Sequence, residues 1–154
     1  MSLSRRIEEH LKMLLEQGDA IEVRRSELAE TFNCVPSQIN YVLSTRFTHT
    51  QGYLVESRRG GGGYLRIVKL FWDTNSDATL KEIYKEMDIG IAQREAEGVL
   101  KRFCEEEYLT KREYNMLKAV VSRGTLAIEL PERDYIRAKI MQAVIMFLCR
   151  NDYK

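Results

Sequence analysis

Histidine occurs twice, tryptophan once and cysteine three times in this 154-residue chain. Each scarcity removes a class of chemistry. Cys34, Cys104 and Cys149 are widely spaced and odd in number, so neither a disulfide framework nor a Cys-x-x-Cys redox or zinc pair can be built from them. They read as small buried hydrophobes. His10 and His49 have no carboxylate or cysteine around them at ligand spacing, so no metal site is expected. No apolar run approaches the roughly 18 residues that cross a bilayer. The opening Met1-Ser2-Leu3-Ser4-Arg5-Arg6 leads into frequent charges without the apolar core of a secretory signal, and the chain is expected to be cytoplasmic with no membrane partner. No Gly-Lys-Ser/Thr ending follows its glycines, no GxGxxG precedes a helix, and no serine sits in a nucleophile elbow. Glu105-Glu106-Glu107 reads as a solvated helix end rather than a paired acid and base. The expectation is a protein without catalytic residues or cofactor.

What is present is an ordinary globular composition, 44% hydrophobic and 31% charged, of a length that suits one domain or two small ones. The net charge of +1 conceals an uneven distribution. Between Arg46 and Lys69 five basic residues face Glu56 alone, an excess of +4 in a stretch that also holds four consecutive glycines. Such a patch is the footprint a phosphate backbone requires.

Apolar spacing predicts a helix over 3–17, with Leu3, Ile7, Leu11, Leu14 and Leu15 on one side. A short strand at Ile21-Glu22-Val23 follows, then a second helix from an N-cap at Ser26 to Phe32. After a four-residue break at Asn33-Cys34-Val35-Pro36 comes a third helix, which Pro36 can open at its first position and which turns Ile39, Val42 and Leu43 inward. Tyr53–Ser57 and Tyr64–Leu70 read as the arms of a hairpin tipped by Gly60 to Gly63. Beyond the polar stretch 71–78 the pattern is wholly helical: about 78–89, 91–107, 110–124 with a capping box at Thr110 and Glu113, and 131–149. The fold class is α+β, mostly α. A winged helix-turn-helix occupies 1–72, and a helical dimerisation bundle occupies 76–154. The last helix is apolar too widely for one small core, and Ile136, Ile140, Val144 and Phe147 are expected to bury against a second subunit.

In a winged helix-turn-helix the third helix enters the major groove, which would present Ser37, Gln38, Asn40, Tyr41, Ser44 and Thr45 to DNA. Gln38 and Asn40 can pair with adenine edges, and Thr45 can touch a thymine methyl. The same side chains would serve equally to solvate an exposed helix face, and the pattern alone leaves both readings open. The hairpin tip is sharper. A loop without Cβ atoms can approach the walls of a minor groove about 6 Å wide, and flanking arginines are drawn by its negative potential. A two-residue turn needs only one or two glycines, so four are surplus to a simple tip. The DNA-contacting set therefore includes Arg58, Arg59, Gly60, Gly61, Gly62 and Gly63, joined by Arg24, Arg25, Arg46 and Arg66. Two other classes stay in view: a winged-helix adaptor that binds protein, and a ligand-gated regulator with a pocket in the helical half.

Val35-Pro36-Ser37-Gln38-Ile39-Asn40-Tyr41-Val42, Thr45-Arg46-Phe47-Thr48, Gly52-Tyr53-Leu54-Val55-Glu56-Ser57 with the tetraglycine, and Leu130-Pro131-Glu132-Arg133-Asp134 resemble the CtsR family throughout the chain. That family represses clp protease and chaperone genes of the heat-shock response in low-GC Gram-positive bacteria. The resemblance implies a homodimer bound to a double-stranded operator of tandem heptanucleotides and a heat-sensing glycine loop. It also implies control by the arginine kinase McsB and by the Clp protease machinery, with Arg59 as the phosphoarginine candidate.

Overall fold

The computed structural model describes residues 1–58, 63–71, 78–150 and 152. It divides into two compact units, Met1–Asp73 together with Arg150–Lys154, and Thr74–Cys149.

In the first unit, α1 (Leu3–Leu15) starts where the Ser2 hydroxyl accepts from the Arg5 amide, and it buries Ile7, Leu11 and Leu15 at helical spacing. Strand β1 (Ala20–Arg24) runs into α2 (Arg25–Thr31) without a loop. The cap position therefore falls on Arg24 and not on Ser26, as the cap preference alone suggests. Asn33 then takes a left-handed conformation, φ 51°, and the Cys34 amide bonds back to the Ala29 carbonyl, closing α2 tightly enough to leave only four residues before α3 (Pro36–Arg46). Pro36 opens α3, where its missing N–H costs nothing. A 3-10 turn at His49–Gln51, not foreseen in the sequence, leads into β2 (Tyr53–Arg58) and β3 (Tyr64–Lys69).

The three strands form an antiparallel sheet in the order β1-β3-β2. The first strand therefore pairs with β3, aligning Ile21 with Ile67 and Val23 with Leu65, while Val55 faces Ile67 from the other side. Leu65 and Ile67 point into a core shared with Ile7, Leu11, Leu28, Ile39, Val42 and Phe47. Alternation along β3 puts Arg66 on the opposite face.

The second unit is helical among its described residues: α4 (Ala78–Glu86), α5 (Gln93–Glu105), α6 (Lys111–Val120) and α7 (Glu132–Leu148). Each is shorter than its apolar pattern suggests, because buried residues continue past the helix ends. Met87 and Ile91 are buried although α4 has already ended, the chain turning at Gly90 with φ 128°. Val121 is buried one residue beyond α6. The capping box at Thr110 is present, the Glu113 amide donating to the Thr110 hydroxyl and the Thr110 amide to the Glu113 carboxylate, which holds that carboxyl below its ordinary pKa. Pro131 is the cap of α7 rather than its first residue. The core joins Ala96, Leu100 and Phe103 of α5 to Ala138, Met141 and Ile145 of α7. No helix among the described residues is long and apolar enough to cross a membrane. Of the cysteines, Cys149 is buried, and Cys34 and Cys104 are half-buried and unpaired with each other.

Candidate nucleic-acid interface

Helix α3 sorts its side chains by period. Ile39, Val42 and Leu43 are buried, and Ser37, Gln38, Asn40, Tyr41, Ser44 and Thr45 are all exposed. Tyr41, 56% exposed, presents an aromatic ring to solvent in the middle of that face. The hydroxyls of Ser44 and Thr45 both donate to the Tyr41 carbonyl, at 3.1 and 2.6 Å. Their hydrogens are thereby used within the helix, and what they offer a ligand is acceptor capacity, plus a methyl from Thr45.

Arg25 stands at the start of α2 and joins two elements. Its Nε donates to Asn40 Oδ1 at 2.7 Å and its Nη2 to Ser57 Oγ at 3.0 Å, linking α3 to β2. Asn40 keeps a second oxygen lone pair and both amide hydrogens, so the two bonds that an adenine edge requires remain available. Arg24 lies with its guanidinium 4.5 Å over the Tyr64 ring and donates to the Tyr64 hydroxyl, an arrangement that raises its pKa further. The two residues are directly opposed in the β1–β3 register. Arg58 ends β2, exposed, and makes no ion pair among the described residues.

The rest of the basic stretch is less free than counting along the chain suggests. Arg46 donates to Glu8 at 3.0 Å, and Glu8 also holds Lys12 at 2.6 Å. The hydrogen bond from Lys12, reinforced by the charges of Lys12 and Arg46, lowers the Glu8 carboxyl below its ordinary pKa. Arg66 pairs with Glu22 at 3.0 Å and Asp152 at 3.1 Å. The +4 excess is therefore partly balanced by carboxylates that are distant in sequence and adjacent in the fold. Arg59, Gly60, Gly61 and Gly62 lie outside the described residues. Gly63, at φ +78°, has open space around the position of a Cβ, so what it supplies is the backbone conformation itself.

The sequence reading named Arg24 and Arg25 without their partners. The missing signal was strand register: once Ile21 and Val23 are aligned with Ile67 and Leu65, Arg24 must face Tyr64. Arg150 and Asp152, assigned from sequence to the helical half, instead join the first unit. Arg150 pairs with Glu56 at 2.9 Å and with Asp152 at 2.9 Å, and Asp152 also accepts from Arg66. Those bonds hold the Asp152 pKa at about 2, Arg150 being the largest cause.

In the helical unit, Ile136, Ile140, Val144 and Phe147 follow one side of α7, while Ala138, Met141 and Ile145 take the other into the core. Leu109, Met116, Leu117, Ile140, Val144 and Phe147 line an apolar groove of about 470 Å³ between α6 and α7. Phe147 is 53% exposed. No cluster of metal-ligating side chains occurs among the described residues.

Two family models match the chain, the CtsR N-terminal HTH domain over residues 2–71 and the CtsR C-terminal dimerization domain over residues 75–146. The transcriptional regulator CtsR of Geobacillus stearothermophilus is 48% identical over 145 residues, covering 92% of this chain and 94% of its own. That of Bacillus subtilis is 42% identical over 144 residues, covering 92% and 93%. A crystal structure of CtsR in complex with a 26bp DNA duplex is 46% identical and aligns over 97% of this chain and 100% of that one, at a TM-score of 0.49. With both units matched and such identity over nearly the whole length, this chain belongs to the CtsR family of transcriptional regulators.

Proposed function

We propose that the chain is a cytoplasmic, homodimeric repressor of heat-shock and stress genes, clp protease and chaperone genes among them, that binds a double-stranded operator and leaves it on heat or stress. The observation that carries this reading is the exposed polar face of α3, Ser37, Gln38, Asn40, Tyr41, Ser44 and Thr45, set beside Arg24, Arg25 and Arg58. A recognition helix needs such a face to reach base edges, and the flanking cations supply affinity for phosphates that carry no sequence information. Gln38 and Asn40 read bases. Arg58 and Arg59, with Gly60 to Gly63, form the wing contact. Arg46 and Arg66, already paired to carboxylates, orient the scaffold more than they bind phosphate. Ile140, Val144 and Phe147, with Ile136 beside them, form the subunit interface. Arg59 is the residue on which an arginine kinase of the McsB type would act before Clp proteolysis, since a phosphate there replaces a cation facing DNA with an anion.

The test is selection from a randomised duplex pool followed by sequencing. Enrichment of one motif, bound with an affinity that falls steeply as salt rises, supports the reading. A pool that stays random overturns it.

A further inference from the structure

Besides its apolar groove, the helical unit carries a polar cavity of about 440 Å³ at the start of α5 and the start of α7, lined by Gln93, Arg94, Glu97, Arg123, Arg133 and Arg137 among others. Four arginines and two carboxylates, Glu97 and Asp134, border it. One of these arginines is unusual. Arg137 is the largest fully buried side chain among the described residues, 1% exposed. Its Nε donates to the Val121 carbonyl at 2.7 Å, and its Nη1 donates to the Ile91 carbonyl at 3.1 Å and to Asp134 at 2.6 Å. Its Nη2 has no partner among the described residues, although a buried guanidinium ordinarily satisfies its donors.

The surroundings are built rather than loose. Gln93 accepts from the Arg123 amide at 2.8 Å and donates to Glu97 at 3.0 Å, so one side chain straps the chain beyond α6 to the first turn of α5. Arg133 Nε is fixed on the Ile128 carbonyl at 2.9 Å. Helix α5 has Ala92 at its N-cap position and no side-chain cap, which leaves its first amides unsatisfied by any side chain at this cavity. The guanidinium groups of Arg94 and Arg123 make no ion pair among the described residues, and both residues are exposed.

We propose that this cavity is a binding site for a small phosphate monoester, a ligand site in the helical unit separate from the DNA-reading face. The lining is net positive, Asp134 is already neutralised by Arg137, and guanidinium forks approach from α5, from the turn after α6 and from α7. Donors on several sides match an oxyanion with three terminal oxygens better than a planar carboxylate with two. A cavity of this volume admits a small molecule. A DNA strand fits poorly, because the unsatisfied donor belongs to Arg137, which lines the cavity with a fully buried side chain.

The experiment is a titration of the full chain with inorganic phosphate and, separately, glycerol 3-phosphate, at constant ionic strength, read from the backbone amide resonances of Gln93, Arg94 and Arg123. Saturable shifts at these amides are expected, with the double variant Arg94→Gln, Arg123→Gln losing at least tenfold in affinity for both probes while operator binding stays within twofold. Both substituted side chains are exposed, so the variant should keep the wild-type melting temperature. Arg137→Lys, which keeps the charge and loses the fork, should weaken phosphate binding as well. Three results would overturn the proposal: shifts that match those from chloride, shifts confined to α3 and Arg25, or loss of the phosphate response when operator duplex is added.

Discussion

Arg25 ties the exposed face of α3 to β2 through two hydrogen bonds. It holds Asn40 and Ser57 at once, so the position of α3 against β2 depends on it. Arg25→Ala should lower operator affinity by more than loss of a rim charge does, about 1 to 3 kcal/mol, because the Asn40 amide is freed to rotate. Arg25→Lys supplies a charge but no fork and should recover little of it. Titration of operator and scrambled duplex by fluorescence anisotropy separates the cases, and an equal loss on both would reduce Arg25 to a phosphate contact. Legibility in the sequence divides along the same line. Gln38, Asn40 and Tyr41 were readable as an exposed face, since helical period sorts them from Ile39, Val42 and Leu43. The partners of Arg46, Arg66 and Arg150 were not, because Glu8, Glu22 and Glu56 meet them only through tertiary packing.

The elements place their own demands on stability. Strand β3 is central, and on its polar face Arg66 joins Glu22 and Asp152, while Arg150 joins Asp152 to Glu56 on β2. The Asp152 side chain is 4% exposed and its folded pKa, about 2, lies below the ordinary carboxyl value. A depressed carboxyl contributes its full stabilisation above the unfolded pKa, near 4, and loses it as pH falls through the folded value, so the loss spans about pH 4 to 2. The contribution is on the order of 1 kcal/mol, since Glu22 and Glu56 remain open to water. Asp152→Asn should therefore destabilise the first unit at pH 7 and leave it less sensitive to acid between pH 4 and 2, as followed by urea unfolding at a series of pH values. An unchanged acid limb would show that the pairing does not hold in solution. In the second unit Thr110→Ala removes the α6 cap and should cost about 1 kcal/mol in the same measurement. That cap was legible from four residues, Thr110 to Glu113. The bounds of α4 and α6 were not, since Met87 and Val121 bury themselves from turns and continue the apolar pattern past the helix ends.

The whole molecule joins two units with different tasks, and each task carries a mark in the sequence. A polar α3 beside a hairpin marks the first. The breadth of apolar surface on α7 marks the second, where Ile140, Val144 and Phe147 line a groove that a lone unit leaves open to water. Ile140→Asp with Val144→Asp should yield monomers by sedimentation and much weaker operator binding, because two half-sites are no longer engaged together. A variant that sediments as a dimer would move the interface elsewhere. Neither Arg137 nor its cavity was visible in sequence, since an arginine within a helix reads as surface until its burial is known. The most direct measurement for the whole is the ratio of affinities for the selected operator and a scrambled duplex, in wild type and in Gln38→Ala. The expected result is a high ratio in wild type that drops by roughly 1 to 3 kcal/mol in the variant, while non-specific affinity and its salt slope stay unchanged. If Gln38→Ala lowers both affinities equally, or neither, α3 is not the element that reads DNA.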